Sequence, residues 1–244
     1  LTGPDTRILY DASETGYPFA GGFKGEVGGW FGRESRFGLE LNGFYVPETT
    51  TSTELRSGEQ DAFFSVPFFN NAIGSEYSVV VGSDLAGSPT SRGIVDVGSS
   101  IDLWGVGGAL RMRDLVDCDD VDLGFSAGFR YVRLSERFWI DYDTAPSVNT
   151  AFGQGTLGSF LFAGGPTPAA GSRIHAQDDV TAENDFYGLD LGLDATMEML
   201  PGLSFRIAPR VALGAAVQEV DVFGSGRAWQ PDGSMRSTPY GVFA

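Results

Sequence analysis

Asp190, Asp194 and Glu198 recur every four residues along one stretch, and Arg206 and Arg210 recur with the same spacing just past Pro201-Gly202. In NDFYGLDLGLDATM, residues 184 to 197, Tyr187, Leu189, Leu191, Leu193, Ala195 and Met197 alternate with Gly188, Asp190, Gly192, Asp194 and Thr196. A period of two gives two clean faces only in a β-strand. The following stretch sets Phe205, Ile207, Val211 and Leu213 on one face against Arg206, Arg210 and Gln218 on the other. If the two stretches form a hairpin with both apolar stripes on one side, the acids and the arginines share the opposite side. One allowed register faces Glu198 with Arg206 and Asp194 with Arg210; another faces Asp194 with Arg206 and Asp190 with Arg210. Either makes opposite-charge neighbours, bidentate where geometry permits. Asp122 and Arg130 stand on the polar face of the stretch from Val121 to Arg133 and extend the set. The chemistry of such a ladder is fixed charge rather than proton transfer. Solvated surface pairs are the plainer alternative. The opposite stripe is too long and too apolar to be left in water, which argues for charges lining a lumen. Whether that lumen is a channel or a packed, charged core stays open, since a narrow barrel can be filled by its own side chains.

Three other constellations carry less. His175 with Asp178 and Asp179 could form an acid-assisted hydrolytic group at a loop rim, but general acid–base chemistry needs a further carboxylate and a poised water or nucleophile. With one histidine in the chain, no Ser-His-Asp set can be nominated. The run Asp117-Cys118-Asp119-Asp120-Val121-Asp122 lacks the spacing, central glycine and terminal glutamate of a calcium loop and reads as an acidic turn. Gly153, Gly155 and Gly158 fit a dinucleotide-site pattern without the strand before and the helix after that it requires. No catalytic, metal or cofactor site is expected.

The elements that must hold the ladder are strands. Tyr17 to Phe31 places Phe19, Phe23, Val27 and Phe31 on one face, with Lys24, Glu26 and Trp30 on the other. After the turn at residues 32 to 35, residues 36 to 46 place Phe37, Leu39, Leu41 and Tyr45 against Arg36, Glu40 and Asn42. Residues 93 to 113 resume the alternation with a phase slip across Gly105 to Gly108, the usual mark of a β-bulge. Val121 to Arg133 alternates cleanly, and from Leu134 to Asp143 the phase changes again. Turns after residues 31, 113 and 199 are short. The stretches 47 to 92, with short strands of its own through FFSVPFF and YSVVV, and 144 to 178, both rich in Gly, Pro, Ser and Thr, read as long loops, and with the long connection after residue 222 they lie at one end of an antiparallel sheet. Short turns at one end and long external loops at the other are the signature of outer-membrane barrels. From Phe19 to Phe31 is about 40 Å of strand, about 28 Å at a tilt near 45°, which would set these two aromatics at the edges of a hydrocarbon layer. Phe37, Tyr45, Tyr131 and Tyr187 complete the expected aromatic girdle.

Composition agrees. The chain of 244 residues carries 32 acidic and 16 basic residues, a formal charge of −16, which argues against nucleic acid and against a polybasic lipid-seeking surface. Lys24 is its only lysine, so nearly every cation is an arginine, the residue suited to ordered pairing with carboxylates. One cysteine, Cys118, allows no internal disulfide. No apolar run is long enough for a transmembrane helix, which leaves the β-barrel route open.

Three segments together resemble the beta-barrel protein seven family of outer-membrane β-barrel proteins. Gly128-Phe129-Arg130-Tyr131 with Leu134 and Glu136 is similar to a GFRY-x-x-L-x-E segment, Asn184-x-Phe186-Tyr187-Gly188 with Leu191-Gly192 to an N-x-FYG-x-x-LG signature, and Val211-Ala212-Leu213-Gly214 to a VALG strand. Pro67-Phe68-Phe69 looks like a PFF element of the first long loop. Departures stand at Val180, Ala182 and Asp190. The resemblance implies location and architecture, with no catalytic residue to carry over.

The expectation is therefore an all-β, antiparallel up-and-down transmembrane barrel, one domain over residues 1–244, with about seven spanning strands and closure by strands outside them. It would lie in a bacterial outer membrane, in contact with outer-membrane lipid, with small solutes or ions in its lumen and no cofactor. A structural or passive porin-like role leads; a surface adhesion barrel acting through its long loops is the alternative, and a rim hydrolase using His175 the remote one. Strand number and oligomeric state are not set by the sequence.

Overall fold

The computed structural model describes residues 8–10, 16–57, 64–70, 74–85, 88–115, 117–118, 121–146, 161–162, 168–200 and 203–243. Among these residues eleven strands join in one antiparallel sheet: β1 (Phe23–Trp30), β2 (Phe37–Arg56), β3 (Phe64–Asn70), β4 (Ser75–Leu85), β5 (Ser88–Met112), β6 (Asp117–Cys118), β7 (Val121–Pro146), β8 (Arg173–Leu200), β9 (Leu203–Ile207), β10 (Arg210–Trp229) and β11 (Met235–Thr238). The main path runs β1-β2-β5-β7-β8-β10-β11, and among the described residues its two ends do not pair with each other. The fold is the expected all-β, antiparallel one. No described helix is long and apolar enough to cross a membrane, which says nothing of strands.

Five of these strands exceed the usual length of about five or six residues several-fold. β5, β7 and β8 have 25, 26 and 28 residues and pair without interruption from Ser91↔Pro146 to Met112↔Phe125 and from Val121↔Met197 to Thr144↔Ile174. The loops expected over 47–92 and 144–178 are accordingly shorter. β2 continues to Arg56 and β5 begins at Ser88, while β7 runs to Pro146 and β8 starts at Arg173. Thr, Ser and Gly there decorate long strands rather than ending them.

The phase slip expected at Gly105–Gly108 is absent: β5 holds its register with both neighbours through those glycines. The irregularity falls instead between Val46 and Thr49 of β2. Pro47 cannot donate to the ladder there, and a bulge bends its strand. β1 consequently starts only at Phe23, opposite Tyr45, and not at Tyr17. Phe19 lies outside the sheet and is 98% exposed.

What changes along β5, β7 and β8 is the environment, not the register. Even-numbered residues of β8 are the buried set at both ends, with Ile174, Ala176 and Asp178 at one end and Gly188, Asp190 and Gly192 at the other. Over the half toward Leu200 this inner set is polar or glycine and the outward set is Tyr187, Leu189, Leu191, Leu193 and Met197. Over the half toward Arg173 the inner set is Ile174, Ala176, Val180 and Ala182 with the buried Asp178 among them, and Asp185, Glu183, Asp179 and His175 point outward. β5 and β7 invert at the same level, at Trp104 and at Arg133. The apolar-outside half is the membrane half; the other is a water-exposed extension.

The interior of that extension is packed. Phe64, Val79 and Val81 of the β3–β4 hairpin lie on Val95 and Val97 of β5, Ile140 and Tyr142 of β7, and Ile174 and Ala176 of β8, joined by Leu161, Phe162, Ala228 and Val242. Thr144 Oγ1 donates to the carbonyl of Val81 at 2.5 Å, which ties the hairpin to the inner face. Tyr17 reaches Ser99 on the same face at 3.0 Å.

Candidate functional site

The glycines of the membrane half explain how a strand so poor in strand formers holds together. Gly105 faces Phe44 across the β2–β5 ladder, and a Cβ added there would meet the Phe44 ring at 2.6 Å. The ring lies over bare backbone, leaving the rest of the inner face to charged groups.

Those charges form one connected network. The observed register pairs Thr196 with Arg206 and Gly192 with Arg210, midway between the two registers expected. The guanidinium groups therefore reach diagonally. Arg206 grips Asp194 with both Nε and an Nη, and Arg210 Nη1 lies 3.8 Å from Asp190. Arg130 on β7 donates to Asp190 at 2.9 Å. Two residues outside the expected ladder carry the network across the interior. Arg111 on β5 contacts Asp194 at 3.1 Å, Glu40 on β2 at 3.2 Å and Glu26 on β1 at 3.7 Å. Arg210 Nη2 donates to Glu40 Oε1 at 2.5 Å, and the Glu40 side chain is 0% exposed.

β2 and β10 are four strands apart in the sheet order. On a flat sheet that is about 19 Å, more than the two side chains span, so the contact requires the sheet to curl around its charged face. Two expected members stand apart. Glu198 faces Ser204 and is exposed, and Asp122 is exposed opposite Thr196; neither makes an ion pair among the described residues. Glu40 sat on the expected polar face of its strand, but nothing in the sequence signals a partner 170 residues away.

On the outer surface, just where polarity inverts, aromatic rings form a row. Phe23 lies 5.7 Å from Tyr45, Trp104 5.1 Å from Tyr131, and Tyr131 5.0 Å from Tyr187, between ring centres. Tyr45 and Trp104 are register partners and join the two groups. Tyr45, Tyr131 and Tyr187 of the expected girdle stand in this row, Phe23 and Trp104 were not anticipated, and Phe31 and Phe37 lie at the other end beside the β1–β2 turn. Phe19 takes no part. From Tyr187 to Met197 is about 33 Å of strand, a height of about 23–27 Å at a 35–45° tilt, which suits the apolar band of a membrane barrel. Directly beyond the row, Arg133 binds Asp185 through two nitrogens at 2.7 and 2.8 Å, and the Tyr131 hydroxyl donates to Asp185 at 2.5 Å.

The hydrolytic constellation is not assembled. His175 points outward, 3.5 Å from Asp143, whereas Asp178 points inward and accepts the backbone N–H groups of Val242 and Phe243 at 2.8 and 2.9 Å. Among the described residues no cluster of His, Cys, Asp and Glu could hold a metal ion. The glycine pattern at 153–158 and Asp119 and Asp120 of the acidic turn lie outside the described residues.

A curled antiparallel sheet with an apolar band outside, ion pairs inside and an aromatic row at the band's edge is the wall of a transmembrane β-barrel. The whole chain, residues 1–244, matches the family described as Putative beta barrel porin-7, and it belongs to that family. Porins are outer-membrane proteins, so the family places the chain in an outer membrane. Among curated proteins none matches.

Proposed function

We propose that this protein is a passive, non-enzymatic conduit of a bacterial outer membrane, whose narrowest membrane-level section is lined by the ion-pair network. The observation that supports the reading most directly is the Arg210–Glu40 contact, because it brings charges from distant strands together across the inner face. Fixed pairs of opposite sign leave little net charge at that level. Small ions and solutes can exchange water for such groups, whereas larger ones meet side chains that a narrow barrel packs tightly.

The test is planar-bilayer recording with the full-length protein. A small ohmic conductance is expected, with a reversal potential that moves toward cation preference in Arg210→Gln and Arg111→Gln, since each leaves carboxylates in excess. Absence of current from the wild type and from a variant lacking residues 64–85 would remove the conduit and leave a purely structural barrel.

A further inference from the structure

The conduit reading accounts for the membrane half but not for what fills the other half. There the inner face carries a second layer: the β3–β4 hairpin, Leu161 and Phe162, and the segment from Pro239 to Phe243 that follows β11. The two parts of that layer that touch each other are held very differently. The hairpin has its own ladder, from Phe64↔Gly82 to Asn70↔Ser75, and β4 pairs with β5. The segment 239–243 belongs to no strand.

What fastens the segment is a small set of contacts around one carboxylate. Asp178, 2% exposed on the inner face of β8, spends both oxygens on it: Oδ2 accepts from Val242 N–H at 2.8 Å and Oδ1 from Phe243 N–H at 2.9 Å. Gly241 lies flat against the same group, and a Cβ there would sit 2.0 Å from Oδ1. Val242 enters the apolar cluster, and Phe243 meets Phe68 of β3 edge-on, with ring centres 6.0 Å apart. The segment thus spans from the β8 wall to the hairpin. On its N-terminal side it continues from β11, which pairs with β10 over four residues, Gly226↔Thr238 to Trp229↔Met235. Elements with few cooperative contacts open at a fraction of the global unfolding free energy, so this strap can part from Asp178 while the wall stays intact.

We propose that residues 239–243, clipped to Asp178 and resting on Phe68, are a releasable strap that closes the outer mouth of the conduit. This rests on the conduit reading given above. With the strap in place, the apolar cluster blocks the water-exposed end. With it released, the hairpin loses its far support at Phe68 and the path to the charged section opens.

Asp178→Ala removes both acceptors, and Asp178→Asn keeps the size while exchanging one acceptor for a donor. In the full-length protein both are expected to raise amide exchange at residues 240–243 at least tenfold over wild type and to raise bilayer conductance several-fold, Ala more than Asn. A Phe68→Cys/Phe243→Cys pair, oxidised, is expected to lower conductance below wild type, and reduction to restore it. Unchanged exchange in Asp178→Ala overturns the clip, and faster exchange with wild-type conductance overturns the strap as a gate while leaving the conduit standing. No current from any variant, the one lacking residues 64–85 included, overturns the conduit and the gate with it.

Discussion

Arg210 and Glu40 meet at 2.5 Å although 170 positions separate them in the chain and four strand spacings separate them in the sheet. Their contact turns a run of hairpins into a curved wall, because each is held in place by the other across the inner face. Arg111 joins them from β5. Removing one member of such a buried set leaves an uncompensated charge, which typically costs about 3–5 kcal/mol, whereas replacing both partners with apolar groups costs far less. Glu40→Ala is therefore expected to lower the urea midpoint of the micelle-refolded protein strongly. A Glu40→Leu/Arg210→Met double variant should recover most of the loss; a double loss equal to the sum of the single ones would show that the residues act separately.

Polarity inversion makes a depth-resolved prediction. Leu193 and Thr181 both point outward from β8, the first near the middle of the apolar band and the second beyond the aromatic row. Arginine on the lipid face near mid-bilayer costs about 2–4 kcal/mol and close to nothing beyond the interface. Leu193→Arg should destabilise by roughly that amount in vesicles, and Thr181→Arg should leave the unfolding curve in place.

The four tryptophans give an optical version of the same test. Trp104 lies in the outward row, Trp139 stands beyond it with its indole N–H on Asp96 at 3.3 Å, Trp229 lies at the far end of β10, and Trp30 faces inward under Arg113. In single-tryptophan variants, lipids brominated high on the acyl chain should quench Trp104 and spare the other three. Quenching of Trp139 would place the bilayer at the wrong height.

Gly105→Val drives a branched side chain into the Phe44 ring. Overpacking of this kind costs about 1–3 kcal/mol. Phe44→Ala in the same protein should return part of it, which equilibrium unfolding can read.

In the water-exposed half, burial pushes the Asp141 carboxyl above its ordinary range, with Asp96 and Asp179 adding to the rise and His175 and Arg137 opposing it. The folded state therefore favours the protonated acid, and stability is lost as pH climbs from the unfolded value near 4 through the raised one. Asp141→Asn should be more stable than wild type at pH 7, with the advantage shrinking toward pH 4. An advantage independent of pH would rule out the carboxyl as its source.

Much of this was legible in the chain. Alternation located the strands, and the Asp190, Asp194, Arg206 and Arg210 spacing located one side of the network. The register was not, because two correct faces are compatible with several alignments, and the long arginine side chain lets Arg206 reach Asp194 from beside it rather than opposite. The changes of phase at Gly105–Gly108 and after Leu134 were visible as well, but a period of two cannot say which face meets hydrocarbon. A strand that keeps its register while its surroundings invert looks, in sequence, the same as one with an inserted residue. The contact to Glu40 and the strap at Asp178 depend on curvature and on chain returning from far away, which no local pattern encodes.

The row from Phe23 to Tyr187 has a last consequence. Below it the wall tolerates only oil on its outside; above it, only water. Sliding the molecule by one pair of residues along β8, about 7 Å, would either drag Arg133 and Asp185 into the acyl chains or strand Leu189 in the aqueous layer. The protein is thus pinned: how far its extension stands clear of the bilayer is set by that row and not by the thickness of the membrane beneath it.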